Sequence, residues 1–189
     1  MKFTTLVLTA LTFTPAVFGG PITYVADLTG GAEIPANASP GTGSAIITVD
    51  DVAHTLRVQI SFADLIGTTT ASHIHCCAPQ PATVGVATQT PRFIGFPVGV
   101  TSGSYDHTFD TLLDTTYNAP FEAANGGTAA GAEAALFAGI AAGQSYLNIH
   151  TTTFPGGELR GVLGPVPEPG AFVLVGLALG GLWLRGKRR

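Results

Sequence analysis

Between residues 55 and 62, Leu56, Val58, Ile60 and Phe62 alternate with Arg57, Gln59 and Ser61. Alternation at period two sorts side chains onto the two faces of a strand, one packed and one wet, and no helix can satisfy it. Around this stretch Gly, Thr, Ala, Val and Ile dominate, charges are sparse, and turn residues recur every ten or so positions. The chain therefore reads as all-β. Further strands are expected over 22–28, 44–49, 71–75, 84–89, 102–109, 145–151 and 159–163. The last two should be neighbours joined by Phe154-Pro155-Gly156-Gly157. One segment departs from this period. Residues 129–142 are alanine-rich, with Leu136 and Ile140 four apart, Thr128 placed as a cap and Gly143 as a stop, so one short helix is expected over 132–141.

Both ends carry the marks of export. Lys2 precedes an apolar run over 3–17, with Pro15 near its end and Gly19 and Gly20 behind it, the layout of a signal peptide cut after Gly19. At the other end Val166-Pro167-Glu168-Pro169 is followed by an uncharged run over 170–184 and then Arg185, Lys187, Arg188 and Arg189. As a helix that run spans about 22 Å, short of the roughly 30 Å hydrocarbon core, with its basic end inside the cell. Such a segment suits transient holding better than permanent anchoring. The arrangement resembles the PEP-CTERM sorting signal, which implies recognition and removal by an exosortase-type membrane protease. The chain thus divides into a signal peptide (1–19), one exported domain (20–164) and a sorting signal with a transmembrane helix (165–189).

The exported part is about 145 residues long, enough for a core without disulfide staples. Its only cations are Arg57, Arg92 and Arg160, against twelve Asp and Glu up to Glu168, a balance of −9. A surface so acidic repels phosphate backbones and excludes nucleic acid as a partner. The two cysteines, Cys76 and Cys77, are adjacent. Free thiols, a vicinal bridge and ligation of a soft metal all remain open.

Four motifs stand out: 28–35 (LTGGAEIP), Ser72-His73-Ile74-His75, Tyr146-Leu147-Asn148-Ile149-His150-Thr151, and 154–161 (FPGGELRG). In this order and spacing they resemble the CHRD domain over roughly 24–163. The resemblance implies a β-sandwich of immunoglobulin-like or superoxide-dismutase-like character, with no established enzymatic activity. It also implies a surface protein whose partners are an extracellular polymer or another surface protein.

Read from the residues alone, His73 and His75 share a strand face, as do Tyr146, Asn148 and His150. If the two strands are close, three imidazoles converge, and a His-x-His plus a distant histidine is a common way to build a copper or zinc site on a β-scaffold. Cys76 and Cys77 would add thiolates, and His75, nearest to them, is expected to be the exposed ligand. The competing reading has the histidines bonded to backbone and neighbouring polar groups within a packed strand pair. Three imidazole nitrogens within about 4 Å of a common point would favour the metal. Among the few charged residues, Glu33, Glu158 and Arg160 are expected to form a structural ion pair, Glu33 with Arg160 foremost. His54 and His107 read as solvated surface residues. No nucleophile elbow, phosphate loop or dinucleotide fingerprint is present, so no enzyme is expected. Two functions follow: a non-enzymatic envelope or matrix protein held transiently by its tail, and a metal-binding domain using His73, His75 and His150.

Overall fold

A computed structural model describes residues 19–166. The Pro167-Glu168-Pro169 motif, the apolar run after it and nearly all of the expected signal peptide lie outside the described residues. Among the described residues no helix is long and apolar enough to cross a membrane.

The domain is mostly β. Its strands are β1 (Ile22–Thr29), β2 (Thr42–Asp50), β3 (Thr55–Ala63), β4 (Thr69–His75), β5 (Gly103–Asp110), β6 (Tyr146–Thr151), β7 (Leu159–Val162) and β8 (Gly164–Pro165). They form one antiparallel sheet in the order β4-β6-β7-β1-β2-β3-β5, with β8 also pairing β1. The two-residue period does what it dictates: Leu56, Val58, Ile60 and Phe62 are all buried, and so are Val49, Ile47 and Ala45 on β2, the register partners of Leu56, Val58 and Ile60. Strands β6 and β7 are adjacent, as the Phe154–Gly157 turn requires, with Leu147 opposite Gly161 and Ile149 opposite Leu159. Gly161 is a close-approach residue, because a Cβ there would run into the Asp27 carbonyl and the Leu28 side chain of β1.

The sheet curls around a single core that takes residues from every long strand, Ile74, Leu147 and Leu159 joining Leu28, Ile47 and Phe62. Its two edges, β4 and β5, are bridged by the irregular segment 76–102. Phe93 from that segment stacks near Tyr105 and Phe109, with ring centroids 5.8 and 5.5 Å away, and Phe96 sits 5.8 Å from Phe62. The expected strand over 84–89 does not form. This stretch makes only isolated bridges, His75 with Val86 and Thr88 with Tyr117, because it runs over the sheet as a covering layer and not alongside it.

Among the described residues two α-helices stand where one short helix is expected. Helix α1 (Ala119–Ala124) is one that no apolar period announces, and none of its residues is buried. Helix α2 (Ala129–Ala141) starts a turn earlier than expected, with the Thr128 side chain accepting from the Gly131 N–H as its cap. It buries Ala132, Leu136 and Ile140 in the core and ends at Gly143, whose φ of +65° needs a glycine. Cys76 and Cys77 form a vicinal disulfide, and it packs on α2 at Gly139, where a Cβ would overlap both sulfurs. In a helix interior Gly→Ala ordinarily stabilises by about 1 kcal/mol. Here the overlap reverses the sign, so Gly139→Ala should lower unfolding stability by about 1–3 kcal/mol, read from denaturation midpoints. Gly85→Ala, whose Cβ meets nothing within 4 Å, should be close to neutral, and equal midpoints for both variants would contradict the packing of the disulfide on the helix.

Candidate functional site

Strands β4, β6 and β7 turn one face to the core and the other toward the segment that follows β4. Register places His73 opposite Asn148 and His75 opposite Tyr146, and Asn148 in turn opposite Arg160. His73, His75, Tyr146, Asn148, His150 and Arg160 therefore share the non-core face. This face is polar yet mostly covered: His73 and His75 are buried and His150 is half-buried. The expectation that His75 is the exposed ligand is thus corrected, since segment 76–97 lies over it and the open end is at His150.

His73, His75, Tyr146 and Arg160 bind backbone carbonyls of the cover, and His150 binds one in the β6–β7 turn. His73 Nε2 reaches the Pro91 carbonyl at 2.7 Å, His75 Nδ1 the Val84 carbonyl at 2.7 Å, and His150 Nδ1 the Pro155 carbonyl at 2.9 Å. The Arg160 guanidinium donates to Gln80 Oε1 at 2.6 Å and to the Ala82 carbonyl at 2.8 Å, and lies 3.5 Å from the centroid of the Tyr146 ring. Tyr146 stacks on His75 at 4.7 Å with the planes 7° apart, and its hydroxyl donates to the Val84 carbonyl at 3.3 Å. One ring nitrogen from each of the three histidines lies within 4.8 Å of those of the other two, and His73 Nδ1 stands 3.4 Å from His150 Nε2. Burial pushes His73 down to about 4, against the pull of the Pro91 carbonyl, and lowers His75 and His150 as well. At neutral pH the cluster is three uncharged imidazoles.

The cysteines are not part of it. Their sulfurs are bonded to each other and rest on α2, so the expectation of auxiliary thiolates is corrected. The expected ion pair is corrected too. Among the described residues the salt bridges are His54–Glu133 and Arg57–Asp106, and no carboxylate comes within 4.0 Å of Arg160. The reason is that each charge finds other partners. Arg160 is held by the cover, whereas Glu158 lies just before β7 and faces another loop. It accepts from Ser39 Oγ at 2.6 Å, the Ile66 and Gly67 N–H groups at 2.6 and 3.1 Å, and Thr151 Oγ1 at 2.6 Å. Burial alone would raise the Glu158 carboxyl, but these four donors bring it below its ordinary value. Glu33 packs against Gly157, whose φ is +136°, with its Oε1 buried and without a partner.

His54 is not merely solvated. Its Nδ1 meets both Glu133 carboxylate oxygens at 3.0 and 3.1 Å, and Thr111 donates to the same carboxylate, so the β2–β3 hairpin is tied to α2. Sequence reading missed Gln80 and Glu133. Nothing periodic marks Gln80 in a proline-rich segment, while Glu133, on the core side of α2, could have been found as the one acid on an apolar helix face.

Fold and site together define a mostly β domain with a curled antiparallel sheet and a covered histidine face. The CHRD domain family model matches residues 24–163, and the chain belongs to that family. No curated protein matches the chain, and no solved structure does.

Glu33 supplies a test of this electrostatic layout. Burial pushes its carboxyl up to about 7 from 4.5, with Arg160 and the Ile34 N–H pulling the other way. A carboxyl raised on folding stabilises the fold below its unfolded value, and that stability is lost as pH rises through about 7. Glu33→Gln removes the loss. Its stability relative to the parent should therefore rise by on the order of 2 kcal/mol between about pH 5 and about pH 8, with allowance for partial solvent screening. A pH-independent difference in urea midpoints would show that Glu33 ionises normally in the fold.

Proposed function

We propose that this chain is an exported, non-enzymatic protein of the cell envelope or extracellular matrix, whose CHRD domain contacts an extracellular polymer or another surface protein. The observation that carries this is the family match across nearly the whole of the described domain. We read the curled sheet as a sandwich of the immunoglobulin-like or superoxide-dismutase-like kind. Its buried polar groups are largely spent on holding the fold, as the bonds of Glu158 and Arg160 illustrate. The proposal includes export by the N-terminal signal, transient membrane holding by the C-terminal run, and removal of that run by an exosortase-type protease at Val166-Pro167-Glu168-Pro169. Strand β8 supports the cleavage step. Among the described residues its pairing reaches Pro165, opposite Tyr24 on β1, and Val166 is exposed, so a cut after Val166 would leave the described sheet intact.

A second reading, metal binding at His73, His75 and His150, is favoured by their converging nitrogens. Copper and zinc are the ions suited to three imidazoles.

Intact-mass measurement of the protein isolated from its native envelope tests the first reading. The mature chain should begin near Gly20 and end between Pro165 and Pro169. Retention of Trp183 would indicate a permanent anchor, and retention of Met1 would refute export through the N-terminal signal.

A further inference from the structure

The geometry points to a cuprous-copper site built from His73 Nδ1, His75 Nε2 and His150 Nε2. It rests on the metal-binding reading and specifies its ion. The argument begins with the protons. A carbonyl only accepts, so the contacts to Pro91, Val84 and Pro155 assign the ring hydrogens to His73 Nε2, His75 Nδ1 and His150 Nδ1. In neutral rings the remaining nitrogens carry lone pairs. Fixing of the outer nitrogen by a carbonyl is the usual support of a metal-ligating histidine.

Those lone pairs have no donors. His73 Nδ1 and His150 Nε2 face each other at 3.4 Å with no proton to share. His75 Nε2 is buried and unpartnered on a residue only 8% exposed. The Asn148 amide lies within hydrogen-bonding reach of His75, yet neither its Oδ1 nor His75 Nε2 meets a partner in good hydrogen-bond geometry. A purely structural role accounts for the outer nitrogens and leaves this inner set of acceptors facing one another. A cation resolves the three ring nitrogens together. Bringing nitrogens that lie within 4.8 Å of one another to a bond length of about 2.0 Å needs each to move by less than about 1 Å.

Charge selects the ion. No carboxylate belongs to the cluster, and the Arg160 guanidinium lies over Tyr146, which stacks on His75. A divalent ion would bring two uncompensated charges into a covered site beside an existing cation. The cost of desolvating an ion grows with the square of its charge, so a monovalent ion is favoured. Hard monovalent cations take oxygen ligands, and imidazole suits copper. Cuprous copper fits three neutral nitrogens without an anionic ligand. The half-buried His150 gives it a way in.

The test is anaerobic titration of the exported chain, disulfide intact and metal-free, with cuprous ion against a chromophoric cuprous chelator, and with zinc in parallel. The expected result is a single bound copper that displaces equimolar zinc, with X-ray absorption giving three nitrogen neighbours at about 2.0 Å and no sulfur. His150→Gln should weaken cuprous binding at least about 100-fold, whereas the double variant Cys76→Ser, Cys77→Ser should keep the same stoichiometry. The absorption measurement needs no variant, so misfolding of either one leaves the inference testable. Sulfur neighbours, or loss of copper in a double serine variant shown to be folded, would overturn it. Histidine-dependent binding that prefers zinc would overturn the cuprous assignment while sparing the metal reading. Absence of histidine-dependent binding of either ion would end both.

Discussion

Buried side-chain donors must find acceptors, and the polar face of β4, β6 and β7 buries two imidazoles, a phenol and a guanidinium. Segment 76–97, which has almost no regular pairing, supplies its carbonyls to them. Arg160 takes the Ala82 carbonyl, His75 and Tyr146 take that of Val84, and His73 takes that of Pro91. The cover in turn delivers Phe93 and Phe96 to the core and bridges the sheet edges. This pinning explains why imidazoles and a guanidinium are buried on the side of the sheet away from its core. A net hydrogen bond contributes only about 1 kcal/mol, but stripping one partner from a buried pair costs more, so the layer is held as a unit.

The few charges are distributed by the same logic. Arg57 and Asp106 pair in the open, at 2.9 and 2.7 Å, where an ion pair contributes little. Inside, no carboxylate meets Arg160. Glu158 is stabilised by hydroxyl and N–H donors from three separate segments, which fastens the loops near Ser39 and Gly67 to the end of β6. Hydrogen-bonded single charges therefore replace the buried ion pair that the motif spacing suggests.

Pinning the cover also has a chemical consequence. In a neutral ring whose outer nitrogen donates to a carbonyl, the inner one has no proton to offer. The contacts that hold the domain together thus leave three lone pairs facing inward. Structural and ligand-binding roles need not compete for these residues, since each ring has one nitrogen for either task. The vicinal disulfide contributes at a distance, capping the strand after His75 and seating it on α2 at Gly139.

Much of this was legible in the chain. Alternation at period two located β3 to within a residue, and the Phe154–Gly157 turn predicted the β6–β7 pairing. The i, i+2 rule placed His73 with His75, and Asn148 with His150, on shared faces, because strand geometry alone decides that. Which strands lie side by side, and what covers them, depends on contacts far apart in sequence. Hence the order β4-β6-β7, the burial of His75 beneath its own downstream segment, and the second helix had no local signature. The partners of Glu33, Glu158 and Arg160 were undecided for the same reason. A charge finds whichever donor or acceptor the tertiary packing brings within reach, and only the folded chain brings Gln80 to Arg160 and Ser39 to Glu158.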